Sequence, residues 1–250
     1  MTHASMSRRR LALNGLALAA VGWSGGAARA HAPAAAPDPA TVRPGFLFVT
    51  GFSINREAMG RYARTLPAIY QKYQGYYLAT GGPTGGVTVL ESDWKPRSVI
   101  LAKFPTIEAV NEFWWSPEYR ESVAIRAGAG EFTVVRLKGR PGDAAKPKGK
   151  PAYLIGINEI RDRAKNAEYG KAALPILNEH GGRLIAGGGR KDIELLEGDF
   201  GNKNVTVVEF ADLAALRAFY NDPRYQALIP IRQASGDSTV IEIDGVAQNS

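Results

Sequence analysis

Two acidic and two basic residues recur at matching positions in the two halves of this sequence. Glu91 and Glu197 each follow an apolar stretch typical of a strand. Arg126 and Arg232 each stand at the end of a predicted short helix. A charged side chain that points into a buried space must be paired or must bind a ligand, because an isolated buried charge is costly. Two interpretations remain open: a structural Glu–Arg ion pair that fixes the helix on the sheet, or a site in which Arg232 holds a polar or anionic ligand and Glu197 acts as base or acceptor.

Tyrosine and histidine positions extend this candidate site. Tyr119 and Tyr225 are predicted either to line the same space or to pack in the core with satisfied hydroxyl groups. His180 stands at a predicted helix end, where it interacts well with the helix dipole; the alternatives are a general base or a haem ligand. The catalytic candidates are Glu197, Arg232 and His180. The predicted ligand-binding residues are Glu91, Tyr119, Arg126, Arg183, Glu197, Tyr225 and Arg232.

Several classes of chemistry are excluded by what the sequence lacks. It has no cysteine, which excludes disulfides, thiolate metal sites and a cysteine nucleophile. It has no Gly-x-Ser-x-Gly motif, no two-histidine metal spacing and no dinucleotide fingerprint. The glycine runs at 81–86 and 187–192 lack the Gly-Lys-Ser/Thr ending of a P-loop and are predicted to be bulged strands or hairpins. We therefore predict no metal and no cofactor.

The N-terminus resembles an export signal. Arg8 to Arg10 precede a mildly apolar run from Leu11 to Val21, and Ala28-Arg29-Ala30 provides a small-residue cleavage site. The Ser7-Arg8-Arg9 sequence and the weak apolar run favour twin-arginine export over the general secretory route. An ordinary signal that happens to carry three arginines is the alternative. The predicted location of the mature protein is the periplasm or the medium.

Cleavage after Ala30 would leave His31 at the start of a flexible Pro/Ala-rich tether. A terminal histidine can chelate copper, but His180 is the only other imidazole in the mature chain, so a copper site is disfavoured. The formal charge of +7 falls to about +3 without the four signal arginines (31 − 4 − 24), which is too little to indicate nucleic-acid binding. The mature chain is not predicted to contact a membrane.

The 250 residues contain one domain-sized unit written twice. The matching segments are FLFVTGFS and YLIGINEI, GYYLATGG and GRLIAGGG, VLESDW and LLEGDF, VILAKF and VTVVEF, WWSPEYR and YNDPRYQ, and EFTVVRLKG and DSTVIEIDG. The predicted organisation is a signal peptide at 1–30, a tether at 31–43, repeat 1 at 44–139, a linker at 140–150, repeat 2 at 151–245 and a tail at 246–250.

Each repeat is predicted to have the order βαββαβ, the ferredoxin-like split βαβ of the α+β class. In repeat 1 the predicted elements are strands at 46–53, 76–91 and 97–104, helices at 55–73 and 106–114 and a closing strand. In repeat 2 the strands are 153–160, 183–198 and 204–210, with helices at 162–180 and 212–220. Ser116-Pro117 and Asp222-Pro223 interrupt the second helix and predict a capped restart.

The strands carry apolar residues on both faces, whereas a sheet of this kind has helices on one face only. The faces without helices include Phe46, Val99 and Leu101 in one repeat and Tyr153, Ile155, Val205 and Val207 in the other. We therefore predict that the repeats pack sheet to sheet about an internal pseudo-twofold axis, as a monomeric α/β barrel. Their charges favour this pairing: residues 44–140 carry 12 basic and 8 acidic residues, and residues 151–245 carry 11 and 14.

The motifs of repeat 2 resemble the domain of unknown function 1330 family. They are AYLIGINEI, HGGRLIAGGG, LLEGDF, VVEFADLAALRAFYNDPRYQALIPIRQ and VIEIDG. The resemblance implies a ferredoxin-like fold within the dimeric α/β-barrel superfamily, and it covers about three quarters of the chain. Repeat 1 matches more loosely, with Tyr73-Gln74-Gly75-Tyr76 in place of His180-Gly181-Gly182-Arg183, so we expect any working pocket in repeat 2.

The sequence supports two hypotheses for the function. In the first, the exported protein binds, or acts without a cofactor on, a small polar or anionic organic molecule in a pocket between the two sheets. In the second, the barrel core is filled and the protein is a non-catalytic structural or interaction module. The volume and polarity of the space between the sheets distinguish them.

Overall fold

The computed structural model describes residues 38, 40–82, 84–95, 97–143 and 145–248, which belong to one compact unit. The predicted signal peptide, His31 and most of the tether lie outside these residues. None of the helices in the described part of the chain is long and apolar enough to span a membrane.

Repeat 1 consists of five strands and three helices: β1 (Gly45–Ser53), α1 (Arg56–Lys72), β2 (Tyr76–Gly81), β3 (Val87–Glu91), β4 (Ser98–Phe104), α2 (Ile107–Trp115), α3 (Pro117–Ile125) and β5 (Gly130–Lys138). Repeat 2 follows the same order: β6 (Ala152–Ile160), α4 (Arg163–Glu179), β7 (Arg183–Gly187), a 3₁₀ turn (Arg190–Asp192), β8 (Ile193–Glu197), β9 (Asn204–Phe210), α5 (Leu213–Tyr220), α6 (Pro223–Gln226), α7 (Ile229–Ala234) and β10 (Gly236–Asp244).

Local sequence signals set the helix boundaries. The side chains of Asn55 and Asp162 cap the first helix of each repeat by accepting a hydrogen bond from a backbone N–H three residues on. The predicted restarts are also present, since Ser116 accepts from the N–H of Tyr119 and Asp222 from that of Arg224. In both repeats, the residue at which each of these helices begins is therefore set by a capping side chain close to it in the sequence.

The strands predicted at 76–91 and 183–198 are each broken in two. Sheet 1 has the order β2-β4-β1-β5-β8 and sheet 2 the order β3-β10-β6-β9-β7, with all pairs antiparallel. Strand β3 of repeat 1 thus pairs with β10 of repeat 2, and β8 of repeat 2 pairs with β5 of repeat 1. Glycines permit the crossings, because Gly86 has φ +83° and Gly187 has φ +77°. The repeats exchange one edge strand each, which the sequence did not predict.

The two sheets pack face to face, which confirms the predicted α+β barrel. Their facing surfaces form one apolar core that includes Phe46, Leu101, Tyr153, Ile155 and Val207, all with no exposed surface. The facing surfaces are therefore apolar and largely buried, and a ligand pocket between them stays a prediction. The opposite face of each sheet is covered by the helices of its own repeat.

We predict that repeat 2 alone, residues 151–250, does not form a stable monomer. It would expose the apolar face around Tyr153, Ile155 and Val207 and leave the edge of β10 unpaired, both of which favour association. Light scattering after size exclusion should show dimers or aggregates, and addition of residues 44–150 should restore a soluble complex. A monomeric fragment with a cooperative urea transition would contradict the interdependence of the two sheets.

We predict that Gly187→Ala destabilises the protein and that Gly60→Ala does not. A Cβ at Gly187 would lie 1.8 Å from the carbonyl oxygen of Val205, on a backbone with φ +77°. We expect a loss of at least about 2 kcal/mol in the free energy of unfolding. Gly60 lies in α1, where the nearest atom to a Cβ would be 3.8 Å away, so alanine should add roughly 0.5–1 kcal/mol. Equal urea midpoints for the two variants would contradict this account of the crossing.

Candidate functional site

Each exchanged strand places its glutamate beside the arginine of the other repeat. Glu197, at the end of β8, accepts hydrogen bonds from Nη1 and Nη2 of Arg126 at 2.7 and 2.6 Å. Glu91, at the end of β3, accepts one from Nη2 of Arg232. The Glu–Arg ion pairs considered from the sequence are present, but they join the repeats. Glu197 is therefore not the partner of Arg232.

The repeat 1 set is closed. Both carboxylate oxygens of Glu197 are used by Arg126, whose guanidinium also lies over the rings of Tyr62 at 5.3 Å and Phe132 at 4.7 Å. The hydroxyl oxygens of Tyr62 and Tyr119 are 3.1 Å apart. Aromatic rings cover the faces of the cation and the carboxylate fills its end, so this set has the form of a structural ion pair.

The repeat 2 set has the same plan but is only partly satisfied. Glu91 accepts further hydrogen bonds from the Tyr220 hydroxyl at 3.0 Å and from Nε2 of Gln233 at 3.1 Å. The guanidinium of Arg232 uses only Nη2, and its Nε and Nη1 are buried without a hydrogen-bond partner in the described part of the chain. The hydroxyl oxygens of Tyr169 and Tyr225 are 3.0 Å apart. Within the described residues, Arg232 thus has two buried nitrogens without a hydrogen-bond partner and Arg126 has no such nitrogen.

The environment fixes the protonation states in this set. Burial acts to raise the pKa of Glu91, but the hydrogen bond and charge of Arg232 outweigh it, and the net pKa is lowered. Burial acts to lower the pKa of Arg232, and the hydrogen bond to Glu91 outweighs it, so the net pKa is raised. Burial raises the pKa of Tyr225 well above its usual range. At neutral pH the set therefore contains an arginine cation, a glutamate anion and a neutral Tyr225.

Arg232 contributes to the wall of a cavity of about 300 Å³ between α4 and the outer face of sheet 2, which we call the repeat 2 cavity. Its lining is mixed. The polar and charged lining residues are Arg140, Asn158, Asn166, Tyr169, Thr206, Tyr225 and Arg232. The others are Leu154, Gly156, Ile160, Gly170, Leu184, Gly188, Val208 and Val240. The cavity lies on the opposite face of the sheet from the predicted pocket, although it is in the predicted repeat.

Small side chains on three adjacent strands create the floor of this cavity. Gly156 on β6 pairs with Thr206 on β9 and Val240 on β10. The equivalent row in repeat 1 is bulkier, since Val49 on β1 pairs there with Ile100 and Val134. In repeat 1 the guanidinium of Arg126 lies over the ring of Phe132, and the corresponding position in repeat 2 is Ser238. Tyr77 on β2 corresponds to Leu184 on β7. Repeat 1 fills with side chains the volume that repeat 2 leaves open.

Of the predicted site residues, only Arg232 and Tyr225 line the repeat 2 cavity. Glu91, Glu197 and Arg126 lie in the ion pairs described above, and three further residues lie elsewhere. His180 is the C-terminal cap of α4, and its Nε2 lies 3.0 Å from Oδ2 of Asp222. Arg183 donates to Asp143 at 3.0 Å and to Glu209 at 2.6 Å. Tyr119 belongs to the closed set of repeat 1. The predicted residues thus fall into separate clusters, and the Arg232 cluster borders the repeat 2 cavity.

Five polar lining residues were absent from the predicted set: Arg140, Asn158, Asn166, Tyr169 and Thr206. Two sequence signals pointed towards them. Tyr169 matches Tyr62 between the repeats, which marks it as part of the duplicated constellation. Gly156 interrupts a strand where repeat 1 has Val49, and a mid-strand glycine often marks a place where something approaches the backbone. The described residues contain no group of three or more His, Asp or Glu side chains that could hold a metal.

Solved structures share the architecture at low sequence identity. An anthrone oxidase-like protein aligns with a TM-score of 0.50 and 12% identity over 83% of this chain and 93% of its own. A mutant chlorite dismutase from Candidatus Nitrospira defluvii aligns at 0.42 and 10% over 81% and 91%. A protein of unknown function from Rhodopseudomonas palustris aligns at 0.34 and 23% over 42% and 88%. These likenesses concern the fold alone.

A comparison with curated proteins finds no match. The family model described as "Domain of unknown function (DUF1330)" matches residues 44–140 and again residues 151–246. The two matches cover most of the chain and correspond to the two halves of the barrel. The chain belongs to the DUF1330 family and carries two of its domains in tandem.

Proposed function

We propose that repeat 2 binds a small organic molecule with an exposed oxygen acceptor, a carboxylate or a carbonyl, in the repeat 2 cavity. The observation that carries the proposal is Arg232, which borders the cavity and has two buried nitrogens without a hydrogen-bond partner among the described residues. A buried donor without an acceptor costs about 1–3 kcal/mol, which a ligand oxygen would recover after a small shift of the side chain. Arginine is the residue best suited to such oxygens.

The rest of the lining sets the class of ligand. Leu154, Leu184 and Val208 provide an apolar wall, and the side-chain amides of Asn158 and Asn166 provide further hydrogen-bonding groups. The volume of about 300 Å³ lies at the lower end of the range for small-molecule sites. We infer a compact acid, hydroxy acid or carbonyl compound with an apolar or aromatic body.

The chemistry that this site supports is charge stabilisation. The residues that line the cavity include no carboxylate and no imidazole, and the raised pKa of Tyr225 makes it a hydrogen-bond donor rather than a base. Glu197, the base considered from the sequence, is engaged by Arg126. Binding, or a cofactor-independent reaction in which negative charge develops on an oxygen held by Arg232, therefore fits the site better than proton abstraction.

A non-catalytic interaction module is the second candidate, and the buried apolar core between the sheets favours it. That core explains why the two halves stay together. It does not explain why repeat 2 keeps an open cavity beside a partly satisfied arginine when repeat 1 has closed the equivalent space.

We also propose that the chain is exported through the predicted leader and works as a monomer outside the cytoplasm. N-terminal sequencing of the periplasmic protein should give a sequence that begins at His31.

We predict that Arg232→Lys and Gly156→Val each abolish ligand binding and that Arg126→Lys does not. Lysine retains the charge beside Glu91 but loses the spare donors, and valine copies the filled floor of repeat 1. A thermal-shift screen of small carboxylic acids, hydroxy acids and aromatic carbonyl compounds should yield ligands for the wild type. A ligand at 100 times its Kd stabilises the folded state by about 2.7 kcal/mol.

The expected result is a shift that disappears in the first two variants and persists in Arg126→Lys. Each variant is first tested for folding by circular dichroism and its own melting curve. A broad screen without any stabilising compound would favour the interaction module. Equal shifts in all three variants would place the ligand elsewhere.

We predict that Glu91 contributes stability that is lost on acidification. Its folded-state pKa lies below the ordinary glutamate value of 4.5, so the contribution is full above that value and declines as the pH falls through the folded pKa. Urea unfolding of the wild type and Glu91→Gln across this range should show a difference in free energy that shrinks as the pH falls. Glu57→Gln, at an exposed helix position, is the control and should show little difference. A pH-independent gap would contradict the ionised pair.

A further inference from the structure

A second, larger cavity of about 610 Å³ adjoins the repeat 2 cavity, and we call it the outer chamber. The two share Ile160, Asn166 and Gly188 in their walls. The other residues of the outer chamber are Arg163, Gly189, Arg190, Lys191, Asn202 and Asn204. A molecule seated beside Arg232 could therefore extend past Asn166 and Gly188 into this space.

The outer chamber is cationic. Arg163, Arg190 and Lys191 line it, and Arg140 stands at the common wall, where its Nη2 would lie 3.1 Å from a Cβ on Gly188. Within the described residues, none of these four side chains takes part in an ion pair. The chamber lining includes no acidic residue; Asp192 lies just beyond it and Asp162 caps α4. This concentration of positive charge occurs in the repeat that carries more acidic than basic residues.

Unsatisfied polar atoms mark the boundary between the two spaces. Asn158 and Asn204 are cross-strand neighbours on β6 and β9, and Oδ1 of each is buried without a partner in the described part of the chain. Asn158 lines the repeat 2 cavity and Asn204 lines the outer chamber. These two Oδ1 atoms accept hydrogen bonds and the spare nitrogens of Arg232 donate them, so among the described residues both acceptors and donors are left unfilled.

Resting on the proposed function, we propose that the ligand of repeat 2 is an elongated organic anion that places a phosphate-like oxyanion in the outer chamber and a smaller polar end beside Arg232. Phosphate, sulfate and carboxylate groups share the required chemistry, since each offers several oxygens to arginine and lysine donors. The segment 188–191 is not a P-loop, because it leads through a short 3₁₀ turn into β8 and not into a long helix. Its contribution is the two side chains Arg190 and Lys191.

The repeats differ at this point in a way that supports the assignment. The chain crosses between the sheets at 188–192 in repeat 2 and at 82–86 in repeat 1. The repeat 1 crossing consists of glycine, proline and threonine and carries no charge. Only the crossing beside the open cavity is cationic, as expected if the charges serve the ligand of that cavity and not the crossing itself.

The test uses four probes on the full-length mature protein: benzoate, inorganic phosphate, phenyl phosphate and 4-carboxyphenyl phosphate. Isothermal titration at constant ionic strength should show that 4-carboxyphenyl phosphate binds at least tenfold more tightly than benzoate or phosphate, because one molecule reaches both groups of donors. Sulfate and citrate in place of phosphate identify which oxyanion the chamber prefers.

Two triple variants with the same loss of charge complete the test. Arg163→Gln/Arg190→Gln/Lys191→Gln should weaken phenyl phosphate and 4-carboxyphenyl phosphate at least tenfold and leave benzoate unchanged. Arg56→Gln/Arg64→Gln/Lys148→Gln, at exposed positions away from the chamber, should bind all probes like the wild type. Arg232→Lys should weaken benzoate and leave inorganic phosphate unchanged.

Each outcome bears on one proposal. Equal phosphate affinity in both triple variants, or benzoate binding without any phosphate binding, overturns the outer chamber and leaves the proposed function standing. Phosphate binding that only the chamber variant loses supports the chamber, even if benzoate does not bind and the Arg232 site fails. If 4-carboxyphenyl phosphate does not bind more tightly than both benzoate and inorganic phosphate, the inference that one molecule spans the two spaces is overturned.

Discussion

Each sheet of this protein is apolar on both faces, and the helices of its own repeat cover only one of them. The second face is buried against the other repeat, so neither half can satisfy its own hydrophobic surface. The exchanged strands β3 and β8 follow from the same contact, since each extends the sheet opposite its own repeat. The crossed pairs Arg126–Glu197 and Arg232–Glu91 then depend on the exchange, because the strands deliver the glutamates.

The two halves differ in how completely their buried arginines are satisfied. Arg126 has both ends of its fork on Glu197 and rings on its faces, which is the arrangement expected of a structural pair. Arg232 shares Glu91 with Tyr220 and Gln233, and two of its buried nitrogens have no hydrogen-bond partner in the part of the chain that the structure describes. Such incomplete satisfaction costs stability and is typical of sites built for a ligand. A single domain with the repeat 2 arrangement would lose the same stability without a fully satisfied repeat packed against it.

The crossing segment of repeat 2 explains why cationic side chains gather at one place. Gly187 and Gly188 take positive φ values that turn the chain from sheet 2 to sheet 1. The turn brings Arg190 and Lys191 beside the start of α4, next to the opening between that helix and the sheet. A feature required to join the two sheets thus also supplies the charged wall of the outer chamber. Fold stability and proposed ligand recognition share the same few residues.

The sequence by itself determined the duplication, the βαββαβ order, the capped helix restart at Ser116 and Asp222 and the need for sheet-to-sheet packing. These follow from periodicity and capping, which depend on neighbouring residues. Only the tertiary structure decided which arginine each glutamate meets and on which face the cavity lies. Strand exchange depends on which sheet edge is nearest after packing. A cavity is a small difference in side-chain volume summed over three strands, as between Gly156 and Val49, and no single position in the sequence records it.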